Sequence, residues 1–309
     1  MPLAQYHAGQ IKVQEEANSR TVADHLAHWT GPAAEFALEA DLLLLSTLNR
    51  EGGLAIHVLS GKPPLIEVVG DNRIAFSQRP ELEDVPEGKT GGLAINLAAA
   101  RRVRINGTVE RVGGVTEMQL SESFTLCRKY IAPSVNLGDA TTTHPVSRRT
   151  VGFNDARLQG VLHRAETAFL ATVSPDGWPD VAHRGGPAGF IKVDPLTGVL
   201  NWPEYVGDGV FKSVGNARVT GHVTMLVVDF ETGDAVELVG RGDYVNERVL
   251  RKERRDPLVQ FKTSYPLQGR MDCQIERVNW VTGMFGMRQR IPKALKVTSS
   301  STPDDQAPQ

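Results

Sequence analysis

Cysteine is nearly missing from this 309-residue chain: only Cys127 and Cys273 occur, with no Cys-x-x-Cys spacing. That excludes a disulfide framework and fits a reducing compartment. Charge of one sign is missing too. A formal net charge of −2 creates no field that would draw the chain to nucleic acid or to an anionic membrane. Long apolar runs are absent; the richest, Leu42 to Leu45 with its neighbours, falls far short of the roughly 20 residues that span a bilayer. The opening stretch, MPLAQYHAGQIKVQEEANSR, has no basic region followed by an apolar core. No secretory signal is expected, and the cytoplasm is the expected location. There is no Gly-x-x-x-x-Gly-Lys-Ser/Thr loop, no Gly-x-Ser-x-Gly elbow and no recognisable Ser–His–Asp arrangement. What is present is ordinary globular material, 40% hydrophobic and 23% charged, enough for two domains or one large one.

The most informative feature is an internal repeat. Residues 46–68, STLNREGGLAIHVLSGKPPLIEV, align without a gap to residues 171–193, ATVSPDGWPDVAHRGGPAGFIKV. The shared frame is a Thr, an apolar residue, a turn ending in Gly, a strand-like run, a Gly/Pro-rich link and an apolar strand. A second ungapped match pairs LAINLAAARRVRING (93–107) with LVVDFETGDAVELVG (226–240) at a larger offset, so the second copy carries an insertion. Duplication is the economical explanation.

Each copy reads as β-rich. In the second, Phe169–Val173 is a short strand before the turn SPDG, and DPLTG leads into VLNW. VTMLVVDF and AVELVGRGDYV form a hairpin rich in β-branched residues. Short strands with frequent turns predict a barrel or sandwich. Helices are expected over 12–29, 115–131, 155–166 and 209–217. The chain then divides into an N-terminal helical extension (1–34), a first repeat (35–132), a linker (133–154), a second repeat (155–297) and a disordered polar tail (298–309).

Chemistry concentrates in the second copy. In DVAHRGGPAGFIKV (180–193), Arg184 offers the paired donors that suit a phosphate monoester, and the glycines admit close backbone approach. The same glycines would equally shape a bulge. At the equivalent positions the first copy has Leu59 for Arg184 and Glu67 for Lys192, which argues for one functional site per repeat pair. In NWPEYVGDGVFKSVGN (201–216), Trp202 and Tyr205 could wall an aromatic ring system, while Lys212 and Ser213 open a helical turn able to hold phosphate. The alternative is that Trp202 and Phe211 are core and Lys212 is solvated. His25 and His28 have helical metal-binding spacing but no clear third ligand, so no metal is expected. ERVLRKERRD (247–256) reads as a solvated helix face, and Cys127 as a small buried residue on a helix.

These stretches, with YHAGQIKVQ (6–14), CRKYI (127–131) and GDGVFKSVGN (207–216), resemble the pyridoxamine 5′-phosphate oxidase-like FMN-binding split-barrel family, in a long, duplicated branch, over roughly residues 5–290. The resemblance implies a mainly β protein with flanking helices (α+β), built as two tandem split β-barrels. It also implies FMN at a barrel–barrel interface. Arg184, Lys192, Asp208, Lys212 and Ser213 would face its phosphate or ribityl chain. His183, Trp202 and Asn216 would lie near the ring or support that loop, with His183 as the catalytic candidate. Related members usually have Asn at position 208, and CRKYI departs from the usual Cys-Pro-Lys-Tyr-Ile-Gln. The expected activity is an FMN-dependent oxidoreductase using a small-molecule substrate and an electron donor or acceptor, with a homodimer an open expectation. The rivals are a non-catalytic flavin-binding or flavin-sensing protein, or a split barrel holding haem or a deazaflavin.

Overall fold

The computed structural model describes residues 6–20, 31–137, 146–246 and 264–292. His25, His28, residues 247–256 and the tail 298–309 lie outside the described residues.

Two antiparallel sheets carry the chain. The first contains β1 (Leu42–Leu48), β2 (Leu54–Ser60), β3 (Ile66–Gly70), β4 (Arg73–Phe76), β5 (Gly88–Asn96), β6 (Arg101–Val112) and β7 (Val115–Thr125), in the order β2-β1-β5-β6-β7-β4-β3. After the short β8 (Ser134–Asn136) and β9 (Ser147–Thr150), the second contains β10 (Thr167–Val173), β11 (Pro179–Gly185), β12 (Lys192–Val193), β13 (Val199–Tyr205), β14 (His222–Asp229), β15 (Asp234–Asn246) and β16 (Leu267–Thr282). Its order, β11-β10-β14-β15-β16-β13-β12, is the first order over again. Each sheet curls into a split barrel, and the fold is mainly β with a few flanking helices.

The agreement extends to register. Leu42 pairs with Ser60 and Leu48 with Leu54, as Thr167 pairs with Gly185 and Val173 with Pro179. Leu93 pairs with Arg104 as Leu226 pairs with Glu237. Even the bulges coincide: β6 shifts register between Asn106 and Gly107, and β15 between Val239 and Gly240. Both glycines sit against the backbone of the neighbouring strand, where a Cβ would collide.

The barrels pack through β2, β1 and β5 on one side and β11, β10 and β14 on the other. Strand periodicity explains how β1 can be apolar on both faces. Leu43 and Leu45 fill the first barrel, while Leu42 and Leu44 join Ile56, Val58, Phe169 and Val181 in a core between the barrels. In β10, Ala168 and Leu170 face the second barrel's interior, and Phe169 and Ala171 face the interface.

Several local expectations need correction. Residues 115–125 form strand β7, not a helix: Thr116, Met118, Leu120 and Glu122 are buried at every second position. Gly113 and Gly114, with φ of +57° and +84°, turn the chain tightly from β6 into β7. The N-terminal helix α1 is Ala8–Glu16, earlier than the expected 12–29 within the described residues; His7 caps it, accepting from Gly9 N. Helix α2 is Gly31–Leu38. Helix α3, Ala156–Arg164, starts at Asp155, whose carboxylate accepts from Arg157 N. Helix α4 is Lys212–Thr220, starting later than the expected 209–217 because Phe211 is left-handed at φ 54°. The expected linker contributes two short strands: β8 pairs with β17 (Arg288–Arg290), and β9 pairs with β16.

Candidate functional site

A cleft opens where β6 of the first barrel meets β11, β13 and the 207–211 loop of the second. Arg102 and Arg104 reach it from β6, two residues apart and therefore on one face. His183 and Arg184 reach it from β11, and Lys129 and Tyr130 from the segment after β7. The lining holds five Lys or Arg side chains and two carboxylates, Glu204 and Asp208; of the five, Arg104, Lys212 and Arg184 lie against Asp180, Glu122 and Glu204, and Arg102 and Lys129 have no carboxylate partner among the described residues. The N-terminus of α4 opens into the same space without a side-chain cap. Its first-turn N–H groups have no acceptor within the helix, so the cleft combines cationic side chains with the positive end of a helix.

The arginines are held by specific partners. Arg184 Nε donates to Glu204 Oε1 at 2.6 Å, and Trp202 Nε1 donates to the same oxygen at 2.8 Å. Arg102 crosses the interface: its Nη1 lies 2.8 Å from His183 Nδ1, its Nε donates to Cys127 O and its Nη2 to Cys127 Sγ. A guanidinium can only donate, so His183 Nδ1 accepts and the ring proton sits on Nε2. Burial, reinforced by Arg102 and Arg184, lowers the His183 pKa well below its ordinary value and keeps the ring neutral. His183 is 5% exposed, and Nε2 has no hydrogen-bond partner.

Behind the cleft lies a buried charge network between the barrels. Lys212 Nζ donates to Glu122 Oε2 at 2.8 Å, and Asn106 Nδ2 donates to Glu122 Oε1 at 2.6 Å. Asp180 accepts from Ser213 Oγ at 3.0 Å and Asn106 Nδ2 at 3.2 Å. Arg104 Nε lies 3.1 Å from Asp180 Oδ1, near enough for an ion pair but not aligned as a hydrogen bond. Buried opposite charges in this arrangement offset one another's desolvation.

The expected site residues therefore separate. His183, Arg184, Asp208, Lys212 and Ser213 all line the cleft. Lys212 and Ser213 turn their side chains toward Glu122 and Asp180, leaving the helix backbone to face an anion. Asp208 accepts from Val210 N and so shapes the loop, which gives the carboxylate a local role. Lys192 is a correction: it is exposed on β12 and lines neither this cleft nor the neighbouring cavity. Trp202 is another; it is 0% exposed in the second barrel's core and acts on the cleft only through Glu204. Asn216 faces the other way, donating to Thr172 Oγ1 and accepting from Gln10 Nε2, with His7 Nε2 2.8 Å from its Oδ1. The glycine run also needs a different account. A Cβ at Gly185 would strike the Tyr130 backbone and one at Gly186 the Phe190 ring, so both make room for protein.

Arg102 and Arg104 were not among the expected residues. Their signal lay in the second repeat match, where Ala235 and Glu237 stand at the equivalent positions. The counterpart positions across the pseudo-symmetry are closed. Leu59 and Ala235 are buried in apolar cores, and Glu237 accepts from Asn279 Nδ2. Tyr130 and Tyr205 add an aromatic edge, with ring centroids 5.4 Å apart, and Tyr265 lies beside both. Burial and the neighbouring phenols push Tyr205 up to about 12, so it stays protonated. No cluster of three or more potential metal-ligating His, Cys, Asp or Glu occurs among the described residues. No helix of the described residues is long and apolar enough to cross a membrane.

No protein-family model matches the chain. No curated protein matches it either. Solved structures do. A pyridoxamine 5′-phosphate oxidase-type protein of Lactobacillus delbrueckii is 22% identical, over 42% of this chain and 98% of its own, with a TM-score of 0.32. A protein of Clostridium acetobutylicum related to general stress protein 26, of the pyridoxinephosphate oxidase family, is 14% identical over 44% and 92%, with a TM-score of 0.28. An F420 reductase is 20% identical over 39% and 94%, with a TM-score of 0.26. The likeness is a distant one. What the cleft can do rests on its own geometry.

Proposed function

We propose that the protein is a flavin-dependent oxidoreductase acting on a small organic molecule, with the phosphate of FMN held in the inter-barrel cleft. The observation that carries this reading is the convergence of Arg184, Lys129 and the uncapped N-terminus of α4 on one cleft. That donor set suits a phosphate monoester, which takes parallel bonds from a guanidinium and further bonds from helix N–H groups. The cleft also has Tyr130 and Tyr205 as an aromatic edge and a buried imidazole N–H without a partner. These features fit a cofactor that joins a phosphate to a polar ring.

When bound, FMN would supply the hydride or electron transfer, and the protein's part is binding, orientation and electrostatics. Arg184, steadied by Glu204, would anchor the phosphate. His183, fixed in one tautomer by Arg102, would present a neutral donor that does not titrate near pH 7. The apolar core between the barrels would keep water from the interior side. Because the two barrels of one chain supply both walls, a homodimer would add to this cleft without being needed to complete it.

The test is calorimetric titration with FMN and with riboflavin, which differ only in the phosphate. FMN should bind more tightly by at least about tenfold, the least expected from losing one charge-assisted pair. Equal affinities, or no binding of either, would remove the reading.

A further inference from the structure

Beside the cleft, separated from it by Lys212, lies a second cavity of about 380 Å³. That volume falls within the roughly 300–1,000 Å³ of small-molecule sites. Tyr6 and Trp178 supply aromatic surface, and Asn106, Glu122, Asp180 and Asn216 a polar side. The start of helix α1 forms part of its wall through His7 and Gln10, and several contacts hold that helix in place. His7 and Gln10 both engage Asn216, Gln14 Nε2 donates to Val210 O, and Gly9 sits where a Cβ would meet Gly215 O.

The cavity's buried charges are internally balanced, and the remaining carboxylate of its lining, Asp176, is exposed at the rim. Glu122 is paired with Lys212, and Asp180 lies against Arg104 and Ser213. Outside, Lys89 Nζ lies 4.9 Å from the Trp178 ring centroid and donates to the backbone carbonyl of Asp176. A charged guest would give up its hydration and find no unpaired counter-charge in the buried part of the cavity, which is costly. A neutral guest would keep the aromatic contact and could exchange hydrogen bonds with Gln10, Asn106 and Asn216. The cationic cleft next door has the opposite preference.

We propose that this cavity is a second binding site, for a neutral planar aromatic compound carrying an amide-like hydrogen-bonding group. The inference does not depend on flavin occupying the cleft.

Three probes of one shape test it: nicotinamide (neutral), nicotinate (anionic) and benzamidine (cationic), each titrated calorimetrically into the full-length protein. Nicotinamide should bind saturably, and tighter than either charged analogue by about tenfold or more, because the charged forms lose hydration without gaining a counter-ion. Ser121→Phe, which fills the cavity from an exposed wall position, should abolish the binding, and so should Tyr6→Ala combined with Trp178→Ala. Leu196→Ala, at a residue 92% exposed, should leave it unchanged. Absence of saturable nicotinamide binding, equal or better binding of a charged analogue, or binding that survives Ser121→Phe would overturn the proposal. So would loss of the nicotinamide response under saturating FMN, since the cavity would then be the flavin ring's own seat. A protein that binds nicotinamide in this pattern but no FMN would refute the flavin reading and leave this one standing.

Discussion

Arg102, on β6 of the first barrel, ends 2.8 Å from the imidazole of His183, on β11 of the second. The contact ties the barrels together at the cleft and fixes which ring nitrogen carries the proton. It has a measurable consequence for pH. The His183 pKa lies well below 6.5, so below pH 6.5 the unfolded chain binds a proton that the folded chain refuses. Stability therefore falls as pH drops through that window. At about one pH unit below the unfolded value the loss is on the order of 1 kcal/mol. His183→Gln should remove this component, so urea unfolding at about pH 7.5 and about pH 5.5 should show a smaller difference in the variant than in the wild type. His57, pushed down to about 4 chiefly by burial, adds a slope of the same sign that survives in the variant. An unchanged pH slope in His183→Gln would show that folding does not shift the His183 pKa.

Arg184→Ala should act on phosphate recognition specifically. It removes the guanidinium while leaving Glu204 bonded to Trp202. FMN affinity should fall by about 1.5–3 kcal/mol, the range for hydrogen bonds to charged groups, and riboflavin affinity should barely move. Lys192→Ala, on the exposed strand β12, should change neither. A Lys192 effect equal to that of Arg184 would mean that the phosphate lies outside the cleft.

Much of this was legible in the chain because the repeat is a physical register. Leu59 and Arg184 occupy equivalent hairpin positions, opposite Leu43 and Ala168 respectively, as the ungapped match implied. The Leu59/Arg184 difference between the copies then pointed to Arg184, which lines the cleft. The first barrel's side was harder to see, because Arg102 and Arg104 become site residues only once the second barrel packs against β6. Tertiary pairing also overrode local pattern at residues 115–125. Their polar and apolar residues suit a helix face, but the Gly113–Gly114 turn commits them to a strand. Lys192 fell outside the cleft because β12 and β11 stand at opposite ends of the second sheet's strand order, and Trp202 because its ring packs into the second barrel's core.

The Lys212–Glu122 pair gives a third prediction. Both side chains are about nine-tenths buried, and their contact joins α4 to β7 across the barrel interface. Lys212→Met would leave Glu122 buried with only Asn106 as a partner, at a cost of about 3–5 kcal/mol. Lys212→Met combined with Glu122→Gln should recover a large part of that loss, because no lone charge remains buried. Urea denaturation of the two single variants and the double variant measures the coupling. Additive losses would show that the pair contributes no direct interaction.

Leu59→Ala separates stability from recognition. Leu59 is fully buried in the first barrel, at the position equivalent to Arg184, and it lies outside the cationic cleft. Truncating it should cost about 2–5 kcal/mol, the range for a buried Leu→Ala change, with the value set by how far the cavity collapses. The variant's FMN affinity, measured well below its unfolding transition, should match that of the wild type. On the proposed function, the two equivalent positions have unequal roles, Leu59 in packing and Arg184 in binding. A Leu59→Ala protein that kept its stability but lost FMN would reverse that assignment and move the site to the other side of the pseudo-symmetric pair.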